Sequence, residues 1–239
     1  MQLPEHERRA HRDAFRKMSL GQKTEYIFAY YKLPLVLLFV ALVAAGSILH
    51  QKLTYKQPLL YVGMANVSVE EEAERTLTSD YVQEKGLSTR THEVYLYRDL
   101  YLADAEKTLD HQLSYASRLK LLATIDAEEL DVIIMSRQSY DLLSHSGYLM
   151  DLSGVQGLPE ALSGRLQTND VILEDNELEL ELGEAQSYEA TTERVTNAFD
   201  VSGIGPFQQL SDDVYLGIIG NTPRLDETLG YLSYLCSAS

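Results

Sequence analysis

Apolar residues fall along this chain in two rhythms. Short unbroken runs, Leu59–Met64 (LLYVGM), Asp131–Met135 (DVIIM) and Val214–Ile219 (VYLGII), read as strands buried on both faces. His92–Tyr97, where Val94 and Leu96 alternate with polar neighbours, reads as a further strand. Between the strands, apolar positions recur every three or four residues, which gathers them on one side of a helix. An acidic helix is expected from a Ser68-x-x-Glu71 capping box to about Lys85, stopped by Gly86. A longer helix covers roughly 103–125, with Leu109, Leu113, Ala116, Leu119 and Leu122 along its apolar side, and a shorter one runs from about Tyr140 to His145. The last helix starts after Pro223 and reaches about Cys236, with Leu225, Leu229, Leu232 and Leu235 inward. Strands alternating with helices through right-handed crossovers predict an α/β domain with a mainly parallel sheet.

Beyond Gly147 the rhythm changes. GYLMDLSG reads as an extended segment leaving the first lobe, and Pro159 opens a short helix in LPEALSGRL. Asp170–Glu174 (DVILE) and Glu177–Leu182 (ELELEL) follow. The second alternates strictly between leucine and glutamate, the pattern of an edge or antiparallel strand with one face in water. Ala198–Ile204 adds an extended segment that ends on the turn residues Gly203, Gly205 and Pro206.

Upstream of all this, Leu33–Leu49 carries no ionisable side chain over 17 residues. That is the lower limit for crossing a bilayer core, about 17 to 25 residues of helix. Tyr26, Tyr30 and Tyr31 before the run and Tyr55 after it sit where amphipathic rings anchor at headgroups, and Pro34 falls near the entry, where a missing N–H is tolerated. Arg8, Arg9, Arg12, Arg16, Lys17, Lys23 and Lys32 precede the run, against Lys52 and Lys56 just after it. Positive charge stays inside, so the N-terminus is expected in the cytoplasm and the larger part outside. The expected plan is a basic arm and juxtamembrane helix over 1–32, a transmembrane helix over 33–50, a linker over 51–58 and an extracytoplasmic domain over 59–239. The lipid bilayer is then the first partner. A cleaved signal peptide is the competing reading, with Val43, Ala44 and Ala45 before a cut at Gly46, but the preceding polar region is far longer than a usual n-region. No cysteine stands just after the run to carry a lipid.

Charge sharpens the division. The formal net charge of −16 is concentrated from Gln57 onward, where 32 acidic residues face 11 basic ones. So acidic a domain excludes nucleic acid as a partner. The single cysteine, Cys236, rules out a disulfide framework and reads as core packing. The histidines at 6, 11, 50, 92, 111 and 145 form no close pair in the ectodomain, which argues against zinc. EDNELELELGE is not a calcium loop, because Leu180 stands sixth from Asp175 where the turn needs glycine. No G-x-S-x-G, G-x-x-x-x-G-K or H-E-x-x-H occurs. Neither an enzyme nor a cofactor is expected.

Three passages carry a family resemblance: LLYVGMANVS, ELDVIIMSRQSYDLLSHSGYLMDLS and DDVYLGIIGNTPRLDETLGYLSYL. In their order of strand, turn and helix they resemble extracellular solute-binding proteins of the type II periplasmic-binding fold. The layout, EYIFAYYKLP followed by a span and a reduced domain of this kind, is similar to small membrane proteins of Gram-positive bacteria. The resemblance implies a cleft that recognises a small molecule or peptide. The departures are the absence of tryptophan, a segment between Gly154 and Asp213 too short for a full second lobe, and a protein helix in place of a lipid anchor. They point to the alternative, a non-enzymatic interaction, scaffold or sensory subunit of a cell-envelope complex with a membrane-protein partner.

In a parallel sheet the ligand lies beyond the carboxyl ends of the strands. The residues expected there are Asn66 and Ser68, then Arg98 beside Asp99, then Ser136, Arg137, Ser139 and Tyr140, and finally Asn221. Helix starts after Asn66 and Ser136 would favour an anionic group, with Arg137 as its bidentate partner.

Overall fold

The computed structural model describes residues 34, 36–47, 55–102, 111–183, 186–208, 210 and 213–238. The chain divides into two compact units, Met1–Tyr55 and Lys56–Ser239. In the first, residues 36–47 are helical and their side chains are exposed, Leu37 at 63 % and Phe39 at 67 %. Among the described residues no helix is long and apolar enough to cross a membrane. The ends of the apolar run and the basic arm over 1–32 lie outside the described residues.

The second unit is built on one six-stranded sheet. Its strands are β1 (Gln57–Ala65), β2 (His92–Leu100), β3 (Val132–Ser136), β4 (Leu166–Asp175), β5 (Ala190–Asp200) and β6 (Val214–Ile218), in the order β2-β1-β3-β6-β5-β4. β1 runs parallel to β2 and β3, whereas β3–β6, β6–β5 and β5–β4 are antiparallel. The sheet is therefore mixed and not mainly parallel. Helices separate β1, β2 and β3 and can cross a face, as parallel neighbours require; among the described residues β4, β5 and β6 are joined by nothing longer than the five-residue helix Glu177–Glu181 and a turn at Gly205–Phe207, and they pair antiparallel.

GYLMDLSG does not leave the sheet either. Leu149 bridges Ile219, the Met150 N–H donates to the Ile218 carbonyl at 2.8 Å, and the Leu152 N–H donates to that of Thr196 at 2.8 Å. The segment expected to leave the first lobe instead pairs along β6 and β5 of the same sheet.

Strand alternation divides the core into two layers. Val132 and Ile134 join Leu60, Val62, Phe199 and Leu216 on one face; Ile133 and Met135 join Ala65, Leu100, Ala198 and Tyr215 on the other. Against the first face lie α1 (Glu71–Arg75), a π-helical turn (Thr76–Asp80) and α2 (Tyr81–Glu84), followed at the chain's end by α6 (Leu225–Ser237). Helices α3 (His111–Asp126) and α4 (Arg137–His145) cover the second face. A five-residue helix, α5 (Glu177–Glu181), sits between β4 and β5.

Three local expectations are corrected. The Ser68–Glu71 capping box does not form, because Val67 and Val69 pack against the core and the helix starts only at Glu71, with Glu70 at the cap and no side-chain cap bond. ELELEL is helical rather than extended: it tops a hairpin with no strand to pair with, and leucine and glutamate are strong helix formers. Helix α3 turns its serines inward, burying Ser114 and Ser117, and leaves Leu113, Leu119 and Leu122 outside.

The π turn has a visible cause. From α6, the Tyr231 hydroxyl donates to the Leu77 carbonyl at 2.8 Å and the Tyr234 hydroxyl to that of Thr76 at 3.0 Å. These bonds satisfy backbone oxygens that a regular α-helix would pair internally. Where the β5–β6 connection meets the end of α6, Gly205 has φ +45°, and a Cβ there would lie 2.5 Å from the Leu235 carbonyl oxygen. Only glycine fits so close a backbone approach.

Candidate functional site

The register decides which expected site residues can meet. Ala65 pairs with Met135, so Asn66 and Ser136 leave the sheet side by side at the carboxyl ends of β1 and β3. Because β6 is antiparallel, Val132 pairs with Ile218 and Ser136 with Val214. Asn221 follows β6 and therefore lies at the opposite end of the sheet. There its side chain donates to the Ile125 carbonyl at 2.8 Å and ties down the end of α3.

Apart from Ser68, which is exposed, the remaining candidates are engaged within the fold. Asn66, with φ +53°, uses its side chain twice on Leu102: its oxygen accepts the Leu102 N–H at 2.9 Å and its amide donates to the Leu102 carbonyl. Arg98 is paired with Glu74 of α1 on the first face. Ser136 is the N-cap of α4, its hydroxyl accepting the Ser139 N–H at 3.4 Å, and Ser139 is fully buried.

Arg137 lies on the second face. Its guanidinium sits 5.6 Å from the Tyr140 ring and 5.5 Å from the Tyr215 ring, donates to the Tyr215 hydroxyl at 3.4 Å and pairs with Asp141 at 3.2 Å. Asp141 also accepts a bond from Asn169 at 2.8 Å. Tyr140 is fully buried, stacked on Tyr215 with ring centroids 5.0 Å apart, and donates to the Asn197 side-chain oxygen at 3.0 Å. The buried Asn197 amide donates to the Ser144 hydroxyl at 2.8 Å, which donates to the Asp170 carbonyl at 3.2 Å. Burial pushes the Tyr140 phenol up to about 12, against the lowering pull of Arg137. The network locks α4 to β4 and β5.

Two surface grooves each take one of the expected residues. One, of about 500 Å³, is lined by Ser68, Glu70, Glu72, Thr76, Pro206 and Leu210 among others. Its glutamates occupy the start of α1 and repel the anion that a helix N-terminus would otherwise attract. The other, of about 340 Å³, lies between α1–α2 and β2, and holds Arg98 with its partner Glu74.

No family model, curated protein or solved structure matches this chain. The site is therefore read from its own geometry.

That geometry singles out a cluster at the amino end of the parallel strands, centred on two residues that spacing did not single out. Asp131 is fully buried and receives Arg224 Nε at 3.1 and 2.9 Å, the Tyr61 N–H at 2.8 Å and the Thr222 hydroxyl. Arg224 also donates to the Glu128 carbonyl and lies 4.8 Å from the Tyr61 ring. Tyr61 continues into Tyr95 and Tyr97, where Lys120 sits 5.4 Å from the Tyr97 ring. The Tyr97 phenol is raised by burial and then by the Glu129 carboxylate. The available signal was a carboxylate adjoining a strand buried on both faces, which requires a partner. Among the described residues no group of three or more His, Cys, Asp or Glu could hold a metal ion.

Proposed function

We propose that this chain is a membrane-tethered, non-enzymatic interaction subunit, with an extracytoplasmic α/β domain that engages protein through its surface. One observation carries this reading: apart from Ser68, the polar side chains expected to face a ligand are engaged by the domain's own groups. Asn66 holds Leu102, Tyr140 holds Asn197, Arg137 holds Asp141 and Tyr215, and Asn221 holds Ile125. These bonds fix the side chains in place for the fold, so a solute that turned them toward itself would have to make good the bonds they lose. The uncharged run Leu33–Leu49 supports the tether, as does exposure all round its described helical part, which in water would be costly. The basic residues before the run support a cytoplasmic N-terminus.

The domain is read as a reduced relative of the solute-binding fold, with β2-β1-β3 as the parallel, helix-crossed part of its first lobe. The groove beside Ser68 favours a second reading, in which a solute is still captured there. A thermal-shift screen of the full chain in detergent, against sugars, amino acids, oligopeptides and anions, separates the two. No saturable rise in midpoint is expected. A rise that saturates and disappears on filling the groove with Thr76→Trp establishes solute capture instead.

Topology has its own test. A cysteine placed at Glu193, exposed on β5, should react in intact cells with a membrane-impermeant maleimide. Labelling only after lysis refutes the extracytoplasmic placement.

A further inference from the structure

Helix α3 is inside out for a surface helix. It packs on its own sheet through Ser114, Ser117, Leu121, Thr124 and Ile125, while Leu113, Tyr115, Leu119 and Leu122 stand 50, 65, 49 and 37 % exposed. Ala116 and Ala123 are exposed beside them. At about 100° per residue, Tyr115, Ala116, Leu119, Leu122 and Ala123 form one stripe centred on Leu119, with Gln112 and Asp126 at its two ends. Apolar side chains on both faces, Leu121 and Ile125 inward and Leu113, Leu119 and Leu122 outward, is the arrangement of a helix held between two layers, of which the domain supplies one.

We propose that the second layer is the same helix from a second copy of this chain, packed antiparallel across a twofold axis at Leu119. The stripe is complementary to itself in that arrangement. Tyr115 faces Ala123, Ala116 faces Leu122 and Leu119 meets its own copy, so bulky side chains oppose small ones throughout except at the axis. At both ends the Gln112 amide meets the Asp126 carboxylate, donor to acceptor. Lys120 is drawn inward over the Tyr97 ring at 5.4 Å and keeps its charge off the contact.

The area sets the strength of the contact, below the roughly 1,200 Å² of a standard stable interface. The exposed apolar stripe is on the order of 400 Å², toward the upper part of what one monomer carries, and two copies bury ~800 Å² before any polar rim is counted. That predicts a modest contact, strengthened when the copies share a membrane. Both domains are strongly acidic, so added salt should tighten the pairing by screening their repulsion.

The pairing deepens the interaction reading and rests on it, yet its readout is separate from the ligand screen. In membranes holding the full chain with Cys236→Ser, oxidation of Leu119→Cys should give a product of twice the chain's mass. So should Tyr115→Cys combined with Ala123→Cys, whereas Glu193→Cys should give none. In detergent, Leu119→Glu should keep the thermal midpoint and weaken self-association at least tenfold by sedimentation. A Leu119→Cys yield no higher than that of Glu193→Cys, a product of another mass, or a wild-type chain monomeric at every concentration overturns the pairing. A saturating solute in the thermal screen would instead overturn the interaction reading and leave the cross-link standing.

Discussion

Replacing Asp131 by alanine should lower the unfolding free energy by about 3–5 kcal/mol, the cost of removing one partner from a buried ion pair. The variant strands the Arg224 guanidinium over the Tyr61 ring and leaves the Tyr61 N–H and the Thr222 hydroxyl without their acceptor. Arg224→Ala should cost a similar amount, because it leaves a carboxylate of zero exposure unpaired. The double variant should cost clearly less than the two combined, since the residues act as one unit. Chemical denaturation of the four proteins measures the cycle. A loss below about 1 kcal/mol for Asp131→Ala, in the range of an exposed pair, shows that the cluster does not hold the sheet end.

Alkaline pH should unfold the domain in a narrow window. Tyr140 is held at about 12 in the fold, and burial raises Tyr81, Tyr97 and Tyr231 as well, with Glu227 adding to the effect on Tyr81 and Glu129 on Tyr97. An unfolded tyrosine loses its proton near 10. Below that pH both states keep the proton and the full stabilisation is present. Above it the unfolded state binds fewer protons, and stability falls by up to about 1.4 kcal/mol per pH unit for each tyrosine that ionises only on unfolding. Several such groups together exceed the usual stability of a domain within one to two units. With no tryptophan in the chain, phenolate absorbance can be followed beside circular dichroism. The late part of the absorbance rise should coincide with loss of helix signal above about pH 10. Full tyrosine ionisation with the dichroism unchanged refutes the assignment.

What the sequence disclosed and what it hid follow from the same physics. β1, β3 and β6 announce themselves, because a run such as VIIM or VYLGI must be buried on both faces wherever it pairs. The same evenness conceals direction. An apolar run reads alike in a parallel or antiparallel neighbour, so β6 was legible as a strand and illegible as an antiparallel one. That single reversal carries Asn221 to the far end of the sheet and breaks up the expected site. In α3 the leucine period was real but reported the outer face, since Ser114, Ser117 and Thr124 are small enough to lie against a sheet, where Ser117 accepts the Tyr101 N–H at 3.1 Å and Thr124 donates to the Leu121 carbonyl at 2.8 Å. The strict alternation of ELELEL lost to its place at a hairpin tip, where no neighbouring strand rewards an extended chain. The polar network around Asn197 joins residues 57 positions apart and leaves no trace in local spacing.

The place of β6 sets a timetable for the whole domain. It is the last of the six described strands, yet it lies between β3 and β5 and, within the sheet, joins β1–β3 to the β4–β5 hairpin. As residues emerge in order from synthesis, the first three strands are complete while the inner edge of β3, with Val132 to Met135 all buried in the finished fold, still has no neighbour. An open apolar edge of that kind is an invitation to pair with another chain. The pairing that closes it spans some eighty residues and is slow for that reason, being delayed by the closure of a long loop. The nascent domain therefore stays vulnerable to aggregation until its final strand and helix arrive, and a ribosome stalled before Val214 leaves two unfinished sheets rather than a smaller version of one.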